Sequence, residues 1–240
     1  MKKLLLVSKE ASFIVDTQQK QFSCQYGVLD LTKARAGKML KSSTGHAFMV
    51  VEPTIIDLLR KCRRMPQVVT PKDAAQIAAV TGLRSGWKCL DAGGGSGFLA
   101  LFIASLVKPG TVTTYEKNKQ FAENIVRNVR FCGLDNVVVR NKDARRFTEK
   151  NLDLITLDMI GAEKLVKKCH KALEPGGWLC VYSPHIEQQV SVRQAMANTF
   201  VQQRTIECTV RDWKIDDHGY TRPAYGKLAH TGFLSFGRKA

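Results

Sequence analysis

The stretch Trp87-Lys88-Cys89-Leu90-Asp91-Ala92-Gly93-Gly94-Gly95-Ser96-Gly97 decides how the rest of the chain is read. Its first half is short, apolar and bounded, the pattern of a buried strand. Its second half is a glycine-rich turn, and Phe98 to Val107 beyond it has few polar residues and reads as a helix. A strand, a glycine turn and a helix in that order form the corner where doubly wound folds bind ligands. Glycines accept positive φ and let the backbone approach a ligand closely. The helix start supplies unpaired N–H groups. A tight turn without a ligand would read the same way, so the neighbouring segments have to decide.

Downstream, strands and helices alternate. Strands are expected at Thr111–Tyr115, Val137–Arg140, Leu154–Leu157 and Trp178–Tyr182, and helices at Phe98–Val107, Lys119–Cys132, Glu163–Leu173 and Gln188–Thr199. Pro175-Gly176-Gly177 reads as the turn before the fourth of these strands. Arg204–Trp213 and Gly232–Phe236 read as the last two strands. This alternation predicts an α/β fold: a doubly wound, mostly parallel Rossmann-like sheet with helices on both faces. An acidic residue ends each of the first three of these strands: Glu116, Asp143 and Asp158. Such groups converge at one sheet edge with Asp91 and the glycine turn. A carboxylate at Glu116 can accept ribose hydroxyls, Asp143 is placed to hold an adenine amino group, and Asp158 faces the same crevice. Singly, each is as readily a helix cap or a solvated charge; in register, the four point to a nucleoside site.

Upstream, Pro71–Val80 reads as a helix closed by Gly82, and Pro53–Arg60 as a short one. Before these lie short strands at Lys3–Val7, Phe13–Val15, Gln21–Cys24, Gly27–Leu31 and His46–Val51, with a glycine-rich basic stretch from Lys33 to Gly45. They predict a small antiparallel barrel or sandwich. The expected organisation is therefore a small N-terminal β domain at 1–60 and a catalytic domain at 61–240.

Composition limits the partners. The 240 residues hold 37 Lys plus Arg against 21 Asp plus Glu, a formal charge of +16, with 44 % apolar residues. That apolar content excludes a disordered chain, and no run of about 18 apolar residues offers a membrane span. Met1 to Val7 imitates a secretion signal, but Ser8, Lys9 and Glu10 break it too early. The charge favours a polyanion. Seven scattered cysteines, without a Cys-x-x-Cys pair or zinc spacing, point to a reducing cytosol and no metal site.

The glycine turn with its strand-end acids resembles the class I S-adenosylmethionine-dependent methyltransferases. The dinucleotide pattern G-x-G-x-x-G fails here, because Phe98 stands where its third glycine belongs. The flanks narrow the resemblance. Arg64-Met65-Pro66-Gln67-Val68-Val69-Thr70-Pro71-Lys72-Asp73 is similar to the R-x-x-Q-x-x-x-P-K-D stretch of the tRNA adenine-N1 methyltransferases, and Asp30 to Pro53 is similar to that family's N-terminal region. Arg222-Pro223 and His230-Thr231-Gly232-Phe233 resemble its closing R-P and H-T-G motifs. The resemblance covers nearly the whole chain.

It implies a cytoplasmic homotetramer that methylates N1 of adenine in the tRNA T-loop, at position 58 and in some members also 57, with no membrane partner. By matching position, Asp158 is the catalytic carboxylate. The donor, S-adenosyl-L-methionine, would be held by Gln67, Asp91, Gly93, Gly94, Gly95, Ser96, Gly97, Phe98, Glu116, Lys117, Asp143, Ala144 and Asp158. On the tRNA side, Arg63, Arg64, Tyr182, His185, Arg222 and His230 are the candidates, with Tyr225 beside them as a possible stacking ring. Lys33, Arg35, Lys38, Lys41, Arg60, Lys61, Arg140, Lys142, Arg145 and Arg146 would supply a basic rim. One departure stands out: the family's D-x-P-x-P-W loop reads Asp158-Met159-Ile160-Gly161-Ala162-Glu163 here. Two other readings compete: a methyltransferase of corrin or isoaspartyl type, and a non-catalytic RNA-binding subunit.

Overall fold

The computed structural model describes residues 3–65, 68–224 and 230–240. Gln67 and Tyr225 lie outside them. The chain divides into two compact units, Met1–Arg63 with Asn128–Asp135, and Arg64–Arg127 with Asn136–Ala240.

In the first unit, strands β1 (Lys3–Val7), β2 (Ser12–Asp16), β3 (Gln21–Cys24), β4 (Gly27–Asp30), β5 (Met39–Lys41) and β6 (Ala47–Val51) precede helix α1 (Ile55–Lys61). Four of the strands form an antiparallel sheet in the order β2-β1-β6-β5, and β3 pairs with β4 in a separate hairpin. The unit is thus a sheet and a hairpin where the sequence suggested a barrel or sandwich. Strand β5 lies inside the glycine-rich basic stretch, where no strand was expected, since three residues with one buried side chain give too short a pattern to detect. Leu4, Leu6, Val15, Leu29, Leu40, Phe48 and Val50 form its core. Thr54 caps α1 in a reciprocal box with Asp57.

The second unit contains α2 (Pro71–Thr81), β7 (Cys89–Ala92), α3 (Phe98–Val107), β8 (Val112–Tyr115), α4 (Lys119–Cys132), β9 (Val137–Arg140), β10 (Leu152–Leu157), α5 (Val166–Ala172), β11 (Leu173–Ser183), α6 (Ile186–Met196), β12 (Val201–Glu207), β13 (Trp213–Ile215), β14 (Thr221–Pro223) and β15 (Phe233–Arg238). Residues of α4 from Asn128 onward belong to the first unit. Seven strands form a sheet in the order β12-β15-β11-β10-β7-β8-β9. The five from β11 to β9 are parallel, while β15 runs antiparallel to both its neighbours. Strands β7 and β10 are buried along nearly their whole length, as strands covered on both faces are. The chain leaves β7 toward β8 and returns on the other side as β10, so the strand order reverses between β7 and β10. The crevice at that switch point is where an open α/β sheet binds its ligand.

Three expectations shift in detail. The helix expected over Glu163–Leu173 begins as a 3-10 turn, Ala162–Leu165, and Leu173 already pairs as the first residue of β11. Pro175-Gly176-Gly177 is an excursion inside β11, where the pairing with β10 jumps from Leu152–Leu173 to Leu154–Trp178. Arg204–Trp213 is not one strand: β12 ends at Glu207, and β13 pairs with β14 in a short hairpin. The residues of β13 are all exposed, so no alternating pattern marks it.

Candidate methyl-donor site

The site grows from the end of β7. Asp91 is buried, and its two carboxylate oxygens each accept a threonine hydroxyl, from Thr114 and Thr156, both at 2.8 Å. Burial pushes its pKa up, partly offset by the two hydroxyls, while Glu116 adds repulsion. Beyond Asp91 the turn takes positive φ at Gly93 (94°), Gly95 (53°) and Gly97 (81°). At Gly93 an added Cβ would lie 2.0 Å from the carbonyl oxygen of Asp158. The glycine there is a requirement of close backbone approach as well as of φ. Asp158 itself is tied back to this corner, its N–H donating to the carbonyl of Ala92 at 2.8 Å.

Glu116, at the end of β8, organises the turn. Its carboxylate accepts the N–H of Gly95 at 2.9 Å and the N–H of Asn118 at 2.7 Å. A carboxylate offers about four lone-pair sites, so both oxygens keep capacity for ribose hydroxyls. The Ser96 hydroxyl accepts the N–H of Met65 at 2.7 Å, fixing the lead-in segment to the turn. Phe98 is buried, with the Arg64 guanidinium over its ring at 5.6 Å.

A cavity of about 650 Å³ opens over these residues, of the size that holds a small-molecule cofactor. Gly93, Gly95, Glu116, Lys117, Asp143, Ala144 and Asp158 line it, joined by Asn118, Phe121, Arg145, Met159, Ile160, Gly161 and Lys164. A smaller recess beside it is lined by Val68, Val69, Asp91, Gly94, Ser96, Phe98 and Asp158. Asp143 lines the cavity, but its carboxylate also takes the Arg145 guanidinium and the Arg145 N–H. That side chain, with the backbone bond behind it, holds its pKa down to about 2.

Asp158 is the singular group. It stands at the end of β10 with its pKa pushed up to about 7, first by burial, then by the charges of Asp91 and Glu116. Three carboxylates that repel one another around this corner of the sheet favour a cationic guest. S-adenosylmethionine carries a sulfonium and an ammonium on a nucleoside, so these residues fit it. The apolar surfaces of Phe121, Ala144 and Met159 complete a place for a purine. With both substrates held below KM, so that the free enzyme sets the profile, the rate is expected to rise with pH through a midpoint of about 7. The same series on Asp158→Asn should show no such limb.

The flanking motifs meet in space. Asp73 is fully buried and accepts from Thr70 and Thr231 at 2.7 Å and from the Lys72 ammonium at 2.8 Å. Lys72 also donates to Thr231 and to the carbonyl of Cys208. A Cβ on Gly232 would press into the Tyr182 ring at 2.5 Å, and the Tyr182 hydroxyl donates to the Thr231 carbonyl. Pro-Lys-Asp and His-Thr-Gly are thus two halves of one buried charge network. Breaking a buried pair costs about 3–5 kcal/mol, so Asp73→Ala should lower the unfolding free energy by about that much, read by denaturant titration.

Two tRNA-side candidates adjoin this network. Tyr182 is half-buried with its ring against Gly232, its pKa pushed up to about 12 by burial and by Asp73 and Asp158. His230 bonds Glu207 at 2.6 Å and the carbonyl of Pro184 at 3.1 Å, tying β12 to the end of β11. His185 precedes α6, and its N–H donates to Ser183. Arg222 lies exposed on β14, and Arg63 and Arg64 are exposed at the junction of the two units' sequences. Sequence reasoning missed Thr114 and Thr156, whose signal was a polar residue in each of two buried strands. It also missed Gln188, whose amide donates to the Met159 carbonyl at 2.9 Å and anchors the loop after Asp158. Among the described residues, no group of three or more His, Cys, Asp or Glu is placed to hold a metal.

Comparison with known proteins gives this geometry a family. Residues 58–230 match the model of the tRNA methyltransferase complex GCD14 subunit family. The chain belongs to that family. The tRNA (adenine(57)-N(1)/adenine(58)-N(1))-methyltransferase TrmI of Methanocaldococcus jannaschii is 30 % identical, over 98 % of this chain and 94 % of that one. Among solved structures, tRNA (m1A58) methyltransferase TrmI from Aquifex aeolicus is 25 % identical with a TM-score of 0.80, covering 100 % of this chain and 97 % of that one. A SAM-dependent O-methyltransferase from Thermotoga maritima is 28 % identical with a TM-score of 0.83, covering 99 % and 92 %. The GCD14-family chain therefore carries the S-adenosylmethionine methyltransferase fold along its whole length, N-terminal strands included.

Proposed function

We propose that this chain transfers the methyl group of S-adenosylmethionine to N1 of adenine in tRNA, at position 58 of the T-loop, with or without the neighbouring 57. The observation that carries the reading is Asp158: a carboxylate at the switch point, lining the cavity beside the glycine turn, its pKa pushed up to about 7 by burial and then by Asp91 and Glu116. The donor, when bound, supplies a methyl already activated by its sulfonium. The residues of this chain supply position and charge.

Glu116 and the glycine turn fix the donor's orientation relative to Asp158. N1 of neutral adenine has an in-plane lone pair, so no strong base is needed; alignment at short distance is the main requirement. As a carboxylate, Asp158 accepts a hydrogen bond from the adenine amino group and so fixes the Watson–Crick edge. Positive charge develops on the ring as N1 becomes methylated, and the same carboxylate stabilises it. The base must leave its stack to reach this cavity, at a cost of a few kcal/mol. The loop 158–161, anchored by Gln188, borders the space it enters. Its sequence departs from the family's Pro-rich, Trp-ending form, and Ile160, 96 % exposed, stands where that loop meets the cavity.

The exposed cations Lys33, Arg35, Lys38, Lys41, Arg60, Lys61, Arg140, Lys142 and Arg146 are the reading's phosphate contacts. On that account the affinity for tRNA falls steeply with salt, with a log–log slope of about −3 or steeper; filter binding from 50 to 200 mM salt measures it, and a flat response removes the phosphate contacts. The assembly we favour is a homotetramer in the cytoplasm. Trp213, Ile215 and Tyr220 on the exposed β13–β14 hairpin support an association surface, and sedimentation of the purified chain tests it. No helix among the described residues is long and apolar enough to cross a membrane.

The corrin and isoaspartyl readings leave the N-terminal strands and the +16 charge without a role, and the non-catalytic reading leaves the donor cavity without one. Donor titration followed by tritium transfer to unmodified tRNA separates the three. Donor binding with transfer to tRNA supports the proposal, donor binding without transfer favours another substrate, and no donor binding favours an inactive subunit.

A further inference from the structure

Cys62 and Cys132 approach each other in the first unit, with their sulfurs 3.5 Å apart across 70 residues of sequence. The other five cysteines are separate thiols. Cys89, Cys169 and Cys180 are buried fillers whose ionisation burial opposes, and Cys24 donates to the Gly27 carbonyl. The approach of the pair is built by the backbone on both sides. Cys62 ends α1, its N–H donating to the carbonyls of Leu58 and Leu59. The next residue, Arg63, is clamped by the buried amide of Asn128: its N–H donates to Asn128 Oδ1 at 3.1 Å, and Asn128 Nδ2 donates to its carbonyl at 3.0 Å. Asn128 lies four residues before Cys132 on α4, one helical turn away on the same face. The two sulfurs are therefore held together by a clamp that does not involve them. A bond needs an S–S distance of about 2.05 Å, so the two sulfurs must approach by about 1.5 Å.

We infer that Cys62 and Cys132 are a dithiol–disulfide pair, a covalent modification site that closes a clamp within the first unit. The oxidant is a small-molecule disulfide. A protein thiolate attacks one of its sulfurs and expels one thiolate, leaving a mixed disulfide on the protein. The second cysteine, as thiolate, attacks the protein sulfur of that intermediate, expels the second small thiolate and forms the S–S bond. Two protein thiols are oxidised, one external disulfide is reduced to two thiols, and the protons lost by the cysteines go to those leaving thiolates or to solvent. Cys132 is the more exposed of the two, while the hydrogen bond from Cys132 lowers the pKa of the buried Cys62 and favours its thiolate. The thiol hydrogen bond between them favours the thiolate of whichever sulfur accepts.

The test uses the full chain and an excess of glutathione disulfide, a linear small-molecule disulfide of the kind the step requires. Denatured thiol titration should fall from seven cysteines to about five, with a mass loss of about two hydrogens and one cross-linked peptide pair joining Cys62 to Cys132. The closed loop should raise the thermal midpoint by about 10 °C relative to the reduced protein. Cys132→Ser should show neither change; if it fails to fold, Cys62→Ser is the alternative, and the peptide map of the unaltered chain stands alone. Seven thiols surviving the oxidant, or cross-links between other cysteines or between chains, would overturn the inference. Neither outcome bears on the methyltransferase reading, because no residue of the donor cavity takes part.

Discussion

Replacing Asp158 by Asn is expected to lower kcat by about 10³ while changing donor affinity by less than about tenfold. The isosteric amide keeps the shape of the β10 end but cannot accept from the adenine amino group with full charge, nor stabilise the cation that forms. The same change should stabilise the protein without ligand. The folded-state pKa of Asp158 is raised to about 7, so its contribution favours the fold at pH below the unfolded carboxylate pKa and is lost as pH rises through 7. At pH 8 the variant should therefore be more stable than the parent, by about 2 kcal/mol after discounting the solvent contact the carboxylate retains. At pH 4 that difference should largely vanish. Loss of activity with gain of stability is the mark of a group strained for function. Equal losses of activity and stability would make Asp158 a structural residue.

The second large effect is at Gly93. Its φ of 94° is strained for any side chain, and a Cβ would sit 2.0 Å from the Asp158 carbonyl oxygen. Backbone cannot move aside as a flexible side chain can, so Gly93→Ala must shift either the turn or the β10 end. Donor affinity should fall by about 100-fold or more, and the unfolding free energy by about 3 kcal/mol. Isothermal titration and denaturant unfolding read the two losses. Gly86→Ala, outside the donor cavity, offers the comparison: its φ is 87°, yet nothing lies within 4 Å of an added Cβ. It should cost about 1 kcal/mol and leave donor binding nearly intact. Equal effects at the two glycines would show that backbone strain, not close approach, governs the turn.

What the sequence made legible follows from the range of each interaction. Helices α3 and α4 and strand β9 lie where periodicity placed them, because a continuous apolar run or an amphipathic pattern is a local signal. The sheet order and the convergence of Asp91, Glu116, Asp143 and Asp158 near one edge follow from the alternation of strand and helix. The exposed β13–β14 hairpin and the three-residue β5 carried no such pattern. The partners of the site residues were hidden as well. Nothing near Asp91 in sequence announces Thr156, 65 residues away. Nothing near Asp143 announced that Arg145, two residues on, would share its carboxylate with any ligand. The buried Lys72–Asp73–Thr231 network joins residues about 160 positions apart; resemblance named both motifs, and only the fold shows why they occur together.

The central claim is that Asp158 serves methylation of one adenine edge in tRNA. Its most direct test is nucleoside analysis and primer-extension mapping of an unmodified tRNA transcript after incubation with donor and either the parent enzyme or Asp158→Asn. The account predicts 1-methyladenosine at position 58, with or without 57, from the parent and about a thousandth of that rate from the variant. A methyl group on another base or another atom, or equal modification by both enzymes, would contradict it.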